Sequence, residues 1–155
     1  MIGRFAITTG ATAGEWDNED TGLYVGGDLN HEEGTWTPEF YFGGAQVGLT
    51  YAARTAYYMR VGNFVHAYAF IFLSAKGSST GVVTITGLPH VPAQNMLFTF
   101  GANGVPFVDY PTALMDGSRT SIQLGEATAA GGWTAWDDTD FGGTETIYLN
   151  FSYPI

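Results

Sequence analysis

The chain contains no cysteine, and its 155 residues include only five lysines plus arginines. The lack of cysteine excludes disulfides and thiolate metal sites. The scarcity of basic residues excludes the clustered cations that bind a phosphate backbone, so we expect no direct binding to nucleic acid. Fifteen acidic residues give a net charge of −10. A surface of that charge also repels anionic membranes.

Long apolar runs are lacking as well. The longest apolar stretch, around residues 65–73, is far too short to cross a bilayer. The first residues do not form the charged segment followed by an apolar run that marks a secretion signal. We therefore expect neither membrane insertion nor a secretion signal.

Glycine and aromatic residues are abundant, with 22 Gly, 4 Trp, 9 Tyr and 11 Phe. This composition favours short strands and tight turns over helices. About eight segments show the apolar alternation of strands, bounded by Gly, Pro, Asn or Asp. The clearest is the last, with Ile147, Leu149, Phe151 and Tyr153 on one side. We predict an all-β fold, specifically an antiparallel jelly-roll-like β-sandwich.

The length fits one domain, preceded by a segment of different character. Residues 9–28 are rich in Gly, Thr and acidic side chains, and regular alternation begins only after them. We predict an N-terminal arm or connector over residues 1–30 and the sandwich domain over residues 31–155. Within that domain, single strands are expected over residues 35–42 and 96–100.

Residues 63–73 are apolar on both faces of the predicted strand. One face carries Val65, Ala67, Ala69, Ile71 and Leu73, and the other carries Phe64, His66, Tyr68, Phe70 and Phe72. A sandwich strand packs one face on the core, so the second apolar face needs another cover. We predict that Phe64, Tyr68, Phe70 and Phe72 form a subunit interface.

Residues 77–81 match the G-x-S-x-G pattern of a nucleophile elbow around Ser79. The residues after this segment form a predicted strand rather than a helix, and no acidic residue lies between Ser79 and His90. We interpret this segment as a loop. Paired carboxylates hydrolyse glycosides only when they flank the sugar bond at a defined separation, and the acidic clusters of this chain lie in predicted turns. We expect no catalytic activity.

The segment around Trp133 and Trp136 is the best candidate for ligand binding. Aromatic faces stack on sugar rings, and the carboxylates of Asp137 and Asp138 would accept hydrogen bonds from hydroxyls. These four residues are therefore a predicted glycan or receptor site on a loop. The alternative is that both tryptophans plug one end of the sandwich or a subunit interface.

Asp137, Asp138 and Asp140 could also supply oxygen ligands for a structural calcium ion. The alternative is a solvated acidic turn. No other cofactor is expected, because the histidines have no partners at metal-binding spacing.

Four motifs occur along the chain in this order: EGTWTP at residues 33–38, YYMRVGN at 57–63, KGSSTG at 76–81 and GLP at 87–89. This series resembles a domain found near the C-termini of bacteriophage tail fibres, tailspikes and related virion proteins. The resemblance implies a jelly-roll-like domain on a homotrimeric assembly at the virion surface, in contact with other virion proteins.

The resulting prediction is a bacteriophage virion structural protein, made in the host cytoplasm and displayed on the phage tail or capsid. We expect a tail-fibre or tailspike receptor-binding tip that attaches to a host cell-surface glycan. The alternatives are a trimeric capsid decoration protein and a non-catalytic, lectin-like carbohydrate-binding module.

Overall fold

The computed structural model describes residues 31–117 and 119–155, so the predicted connector at residues 1–30 lies outside the described residues. Strands dominate the described chain. Their bounds are β1 His31–Thr35, β2 Glu39–Phe42, β3 Thr50–Val61, β4 Phe64–Ala75, β5 Val83–Thr86, β6 Met96–Thr99, β7 Gly101–Asn103, β8 Tyr110–Met115, β9 Ser121–Ala127, β10 Trp133–Ala135 and β11 Thr146–Pro154. A short 3₁₀ turn occupies Asp138–Asp140. Nowhere in the described chain is there a helix with the length and hydrophobicity that a bilayer span demands.

The strands form two antiparallel sheets. Sheet A has the order β1-β3-β4-β11-β7, and sheet B has the order β2-β5-β9-β8-β6, with β10 also paired to β9. The chain passes repeatedly from one sheet to the other, as in a jelly-roll-like sandwich. The predicted fold class is confirmed.

The core lies between the two sheets. Strands β4 and β11 of sheet A and strands β2, β5 and β9 of sheet B each contribute fully buried apolar side chains. Phe98 of β6 stacks on Phe151 of β11 with ring centroids 4.5 Å apart, which joins the two layers directly. Close packing of this kind supplies most of the stability of a small sandwich.

Strand β4 has the two-faced pattern that the sequence predicted. The inward residues Val65, Ala67, Ala69, Ile71 and Leu73 are all fully buried. The alternate residues, which include Phe64, Tyr68, Phe70 and Phe72, point away from sheet B. They are exposed or half-buried in a single chain.

Two expected single strands are each divided between the sheets, so that part of the prediction was wrong. Residues 35–42 leave sheet A after β1 and enter sheet B at β2, and residues 96–100 pass from β6 to β7 in the same way. Trp36 lies at the first crossing, where it is buried and its Nε1 donates to the Tyr68 carbonyl at 3.1 Å. Alternation of apolar residues indicates which side chains are buried, but it does not reveal a change of sheet.

Two glycines, from the motifs KGSSTG and GLP, lie where two loop backbones touch. Gly87 of GLP has φ +89°, and a Cβ there would lie 2.3 Å from the carbonyl oxygen of Thr37 in EGTWTP. Gly77 of KGSSTG has φ +75°, and a Cβ there would lie 2.1 Å from the carbonyl oxygen of Val47. Both positions therefore require glycine for conformation and for space.

Candidate functional site

The outer face of sheet A is broad and apolar. Strand register sets Tyr57 beside Tyr68, Met59 beside His66 and Val61 beside Phe64. On the other side of β4, Tyr148 pairs with Phe70. Phe64 is 61% exposed and Tyr57 is 54% exposed. A contiguous apolar surface of this kind is typical of a contact with another molecule.

Aromatic pairs organise this outer face of sheet A. Tyr57 and Tyr68 stack with ring centroids 4.8 Å apart, and Phe70 and Tyr148 lie 5.3 Å apart in a tilted arrangement. By register, the strands described here place one carboxylate, Glu33, on this face and no lysine or arginine. The predicted interface residues therefore lie together on an almost uncharged surface.

His66 also lies on this outer face, on the same side of β4 as Phe64 and Tyr68, as the sequence pattern indicated. Its Nδ1 is 2.8 Å from Ser152 Oγ, and the side chain is exposed.

The outer face of sheet B combines exposed apolar side chains, such as Leu97 and Tyr110, with a polar central groove. A groove of about 190 Å³ crosses it, lined by Thr84, Leu114, Asp116, Arg119, Ser121 and Gln123. Hydroxyl, amide and charged groups line most of this groove, so water can solvate it without a partner.

Trp133 lies at one end of this sheet B face, on strand β10 rather than on the predicted loop. Its ring lies over Gly125, where a Cβ would come within 2.7 Å of the indole, and Nε1 donates to the Thr112 carbonyl at 3.2 Å. Register places Trp133 and Tyr110 on either side of Ala127. The half-buried indole is thus held across the sheet, with the 69%-exposed Tyr110 nearby.

Trp136 is a core residue, so its predicted role in stacking on a ligand was wrong. Its side chain is only 3% exposed, and its ring packs near Phe100, Phe107 and Phe141 with centroid distances of 5.3, 6.0 and 6.2 Å. Its backbone amide donates to the Leu124 carbonyl at 2.9 Å, which fixes the ring between the sheets. The alternative interpretation, a plug at one end of the sandwich, agrees with this position.

Each of the three aspartates after Trp136 accepts a hydrogen bond from a backbone amide of the protein itself. Asp137 Oδ1 accepts from the Thr139 amide at 2.8 Å, and Asp140 Oδ2 accepts from the Asp137 amide at 2.9 Å, which together cap the 3₁₀ turn. Asp138 Oδ1 instead accepts from the Gly81 amide at 2.6 Å. Across residues 31–117 and 119–155, no three His, Cys, Asp or Glu side chains are grouped to hold a metal ion. The predicted calcium ligands are therefore not brought together.

Asp138 joins the loops on the two sheets. Lys76 directly follows the last residue of β4. Its Nζ donates a hydrogen bond to the Asp138 carbonyl at 2.8 Å and lies 3.3 Å from Asp138 Oδ2. The hydrogen bond from the Gly81 amide, helped by Lys76, lowers the pKa of the Asp138 carboxyl below its ordinary value. Asp138 lies between β10 and β11, and its structural role is to accept hydrogen bonds from the loop that leads from β4 in sheet A to β5 in sheet B.

Ser79 lies in that same loop and is buried. Its Oγ accepts a hydrogen bond from the Val47 amide at 2.8 Å, and the Ser78 amide donates to the Val47 carbonyl at 2.9 Å. The loop leads into strand β5, not into a helix. Ser79 therefore anchors two loops to each other, and its surroundings are not those of a nucleophile elbow.

A polar cluster at the edge strand β1 was not anticipated. Tyr58 Oη donates to Glu32 Oε1 through a very short hydrogen bond, while His90 Nε2 and Arg60 Nη1 lie 3.2 and 3.7 Å from Glu32 Oε2. The hydrogen bond from Tyr58 is the main cause that lowers the pKa of Glu32, and the same bond raises the pKa of Tyr58. His90 is distant in sequence, so no local spacing could reveal the cluster.

Glu145 is a second unanticipated residue, with a side chain only 2% exposed. Its carboxylate accepts hydrogen bonds from the amides of Gly142 and Gly143. A buried carboxylate needs such donors. Glu145 therefore fixes the turn before β11.

No protein-family model and no curated protein sequence matches the chain. Among solved structures, the chain is similar to the Dettilon tailspike protein (gp208), with a TM-score of 0.66 and 16% sequence identity. The match covers 82% of this chain and 24% of that chain, so this chain spans about a quarter of the tailspike's length. At this level of identity the similarity establishes a shared β-sandwich fold.

Proposed function

We propose that the chain is a bacteriophage virion structural protein, specifically a tail-fibre or tailspike tip domain that attaches the particle to its host. The observation that carries the proposal is the similarity of its fold to part of a tailspike over 82% of the chain. The motif series supports the same assignment independently of the fold. The protein would be made in the host cytoplasm and would act on the virion surface with other virion proteins.

The proposed assembly is a homotrimer whose subunits meet through the outer face of sheet A. The exposed Phe64 and Tyr57 and the half-buried Phe70 and Phe72 support this arrangement, because burying them removes apolar surface from water. Trimeric association also suits a fibre or spike, which is built around a three-fold axis.

We place the host-contacting surface at the end of the sandwich that carries Trp133 and the loop before β8. Val108 is 91% exposed at the tip of this loop. Glu126 Oε2 accepts from the amides of Val108 and Asp109 at 3.1 and 3.3 Å, which holds the tip in place. A rigid tip beside an indole and Tyr110 suits stacking on a neutral glycan, while the net charge of −10 opposes polyanions.

The test is binding of the labelled protein to a panel of bacterial cells and to an array of neutral bacterial surface glycans. We expect binding that Tyr110→Ala or Trp133→Ala weakens by about 1–3 kcal/mol without changing the oligomeric state. Leu97→Ala, on the edge strand β6 of the same sheet face, is the matched control and should bind as the wild type does. A protein that binds purified phage capsids and ignores every cell and glycan would be a capsid decoration protein instead.

We further propose that the domain is not an enzyme. The carboxylates of Asp137, Asp138 and Asp140 accept hydrogen bonds from backbone amides, and Ser79 accepts one from Val47. These contacts give each group a structural role. Incubation with a polysaccharide that the protein binds should release no reducing sugar, and measurable release would overturn this part of the proposal.

A further inference from the structure

The outer face of sheet A is uneven, with a depression on one side of β4. A pit of about 500 Å³ is lined by Glu33, Gly34, Tyr57, Tyr58, Met59 and His66. It lies over β1 and β3, where Glu33 on the edge strand is opposite Met59. The pit is open to solvent in the single chain.

An aromatic ridge lies towards the other side of the same face. Phe70 on β4 and Tyr148 on β11 are paired by register and form one unit, which we call the ridge. Small residues flank it, because Phe70 is opposite Thr55 and Tyr148 is opposite Gly101. Tyr148 is 44% exposed, so the ridge is available for contact.

Charge favours a second copy of this chain as the occupant of this face. With a net charge of −10, two copies repel each other over most of their surfaces. Among the described strands, the outer face of sheet A carries the single carboxylate Glu33, at the edge strand, so identical faces can approach with little repulsion between them. Apolar contact then supplies the attraction.

Three-fold symmetry determines which parts of this face can meet. When three copies turn the same face towards a common axis, the half on one side of β4 contacts the opposite half of the next copy. The pit lies on the β1–β3 side, and Tyr148 lies on the β11–β7 side. The pit and the Phe70–Tyr148 pair are thus positioned to meet around a closed ring.

We propose that the ridge of one copy, Phe70 and Tyr148, inserts into the pit of the next copy, so that the trimer is held by three identical head-to-tail contacts. This inference rests on the proposed homotrimer and adds its mode of contact. It makes each subunit both the donor of a ridge and the acceptor of one.

Chemical cross-linking tests this contact, because the natural chain has no cysteine to interfere. The double variant Glu33→Cys/Asn150→Cys places one thiol at the pit and one beside the ridge. Within one chain these residues lie three strands apart, about 14 Å. A bis-maleimide shorter than that separation can link them only between copies. We expect a covalent trimer on a denaturing gel, whereas each single variant should stay monomeric on the gel.

The control pair is Thr84→Cys/Leu97→Cys on the outer face of sheet B, which should not cross-link. A covalent dimer as the end product would show an isologous contact and overturn the inference. A trimer by light scattering that does not cross-link at Glu33 and Asn150 would overturn the inference and leave the proposed trimer intact. A monomer by light scattering would overturn both.

A second test removes the ridge. Tyr148→Ala should raise the concentration at which half of the trimer dissociates by at least tenfold, as measured by size-exclusion chromatography with light scattering. Tyr110→Ala is the matched control, since it removes an exposed tyrosine from sheet B, and it should leave this concentration unchanged. Equal effects of the two substitutions, or no effect of Tyr148→Ala, would overturn the inference.

Discussion

The two outer faces of this sandwich differ in chemistry although their strands obey the same alternation. The outer face of sheet A carries paired aromatic rings such as Tyr57 and Tyr68. The outer face of sheet B carries hydroxyl and amide groups such as those of Thr84 and Gln123. The core between the sheets needs only the inward residues of both. The outward residues are not needed for the core, so a difference between the two outer faces indicates different surroundings for them.

Strand β9 of sheet B shows that a central strand of this sandwich does not need apolar outward residues. This strand combines fully buried Ile122 and Leu124 with outward Ser121 and Gln123, the ordinary pattern of a strand with one face in water. Strand β4 of sheet A departs from this pattern with outward Phe70. The contrast between these two central strands agrees with the subunit contact proposed for sheet A.

The largest expected effect comes from placing a charge on sheet A. Phe70→Asp should abolish the trimer, because a carboxylate buried without a partner costs about 3–5 kcal/mol, and each trimer would contain three of them. Size-exclusion chromatography with light scattering should then report a monomer. The circular dichroism spectrum should stay that of a β-sandwich, since Phe70 points away from the core.

The matched control on sheet B is Leu97→Asp, at a side chain that is 59% exposed. We expect it to keep the trimer and to change the free energy of unfolding by no more than about 0.5 kcal/mol. If both variants behave alike, the distinction between the two outer faces has no functional meaning.

The next effect compares the core with the sheet B face through two tryptophans. Trp136→Ala should lower the free energy of unfolding by about 3–5 kcal/mol, because it opens a cavity among Phe100, Phe107 and Phe141. Trp133→Ala should lower it by only about 1–2 kcal/mol, since the half-buried ring loses one hydrogen bond and partial burial. Urea denaturation measures both. A larger loss for Trp133 would mean that the sheet B face is part of the core.

The same two tryptophans show where sequence reasoning succeeds and fails. Strict alternation identified the strands β4 and β11, because burial of one face imposes a period of two. Trp136 was assigned to an exposed loop because its neighbours are glycines and aspartates. Its position depends on Phe100 and Phe107, which reach it from another part of the chain, and a local pattern cannot show that.

Polar contacts were the least predictable part of the molecule. Asp138 was predicted to bind a ligand or a metal ion, and it instead accepts from Gly81. Glu32 meets His90 only because the sandwich brings their segments together. By contrast, the apolar character of Phe64 and Phe70 was visible directly, since two apolar faces on one strand are detectable without knowledge of the fold.

A smaller effect concerns the link between the two sheets at Asp138. The folded protein lowers the pKa of this carboxyl below its ordinary value of 3.8. The stabilisation is therefore complete above that ordinary value and is lost as the pH falls through the lower, folded pKa. Asp138→Asn should be less stable than the wild type at neutral pH, and the difference should shrink as the solution is acidified. Thermal melts from pH 7 to pH 2 measure it, and a difference that is constant with pH would contradict this role.

The smallest expected effect is the response of the trimer to salt. The sign of this response distinguishes an apolar contact through sheet A from a contact built on ion pairs. Copies with a net charge of −10 repel one another, and raising the ionic strength from about 0.01 M to about 0.15 M shortens the screening length from about 30 Å to about 8 Å. An apolar contact through sheet A loses nothing in salt, so sodium chloride should tighten the trimer, by roughly a few-fold in its dissociation constant. A contact built on ion pairs would respond in the opposite direction. Sedimentation equilibrium at the two salt concentrations decides between them, and a trimer that weakens in salt would exclude the nearly uncharged face as the main contact.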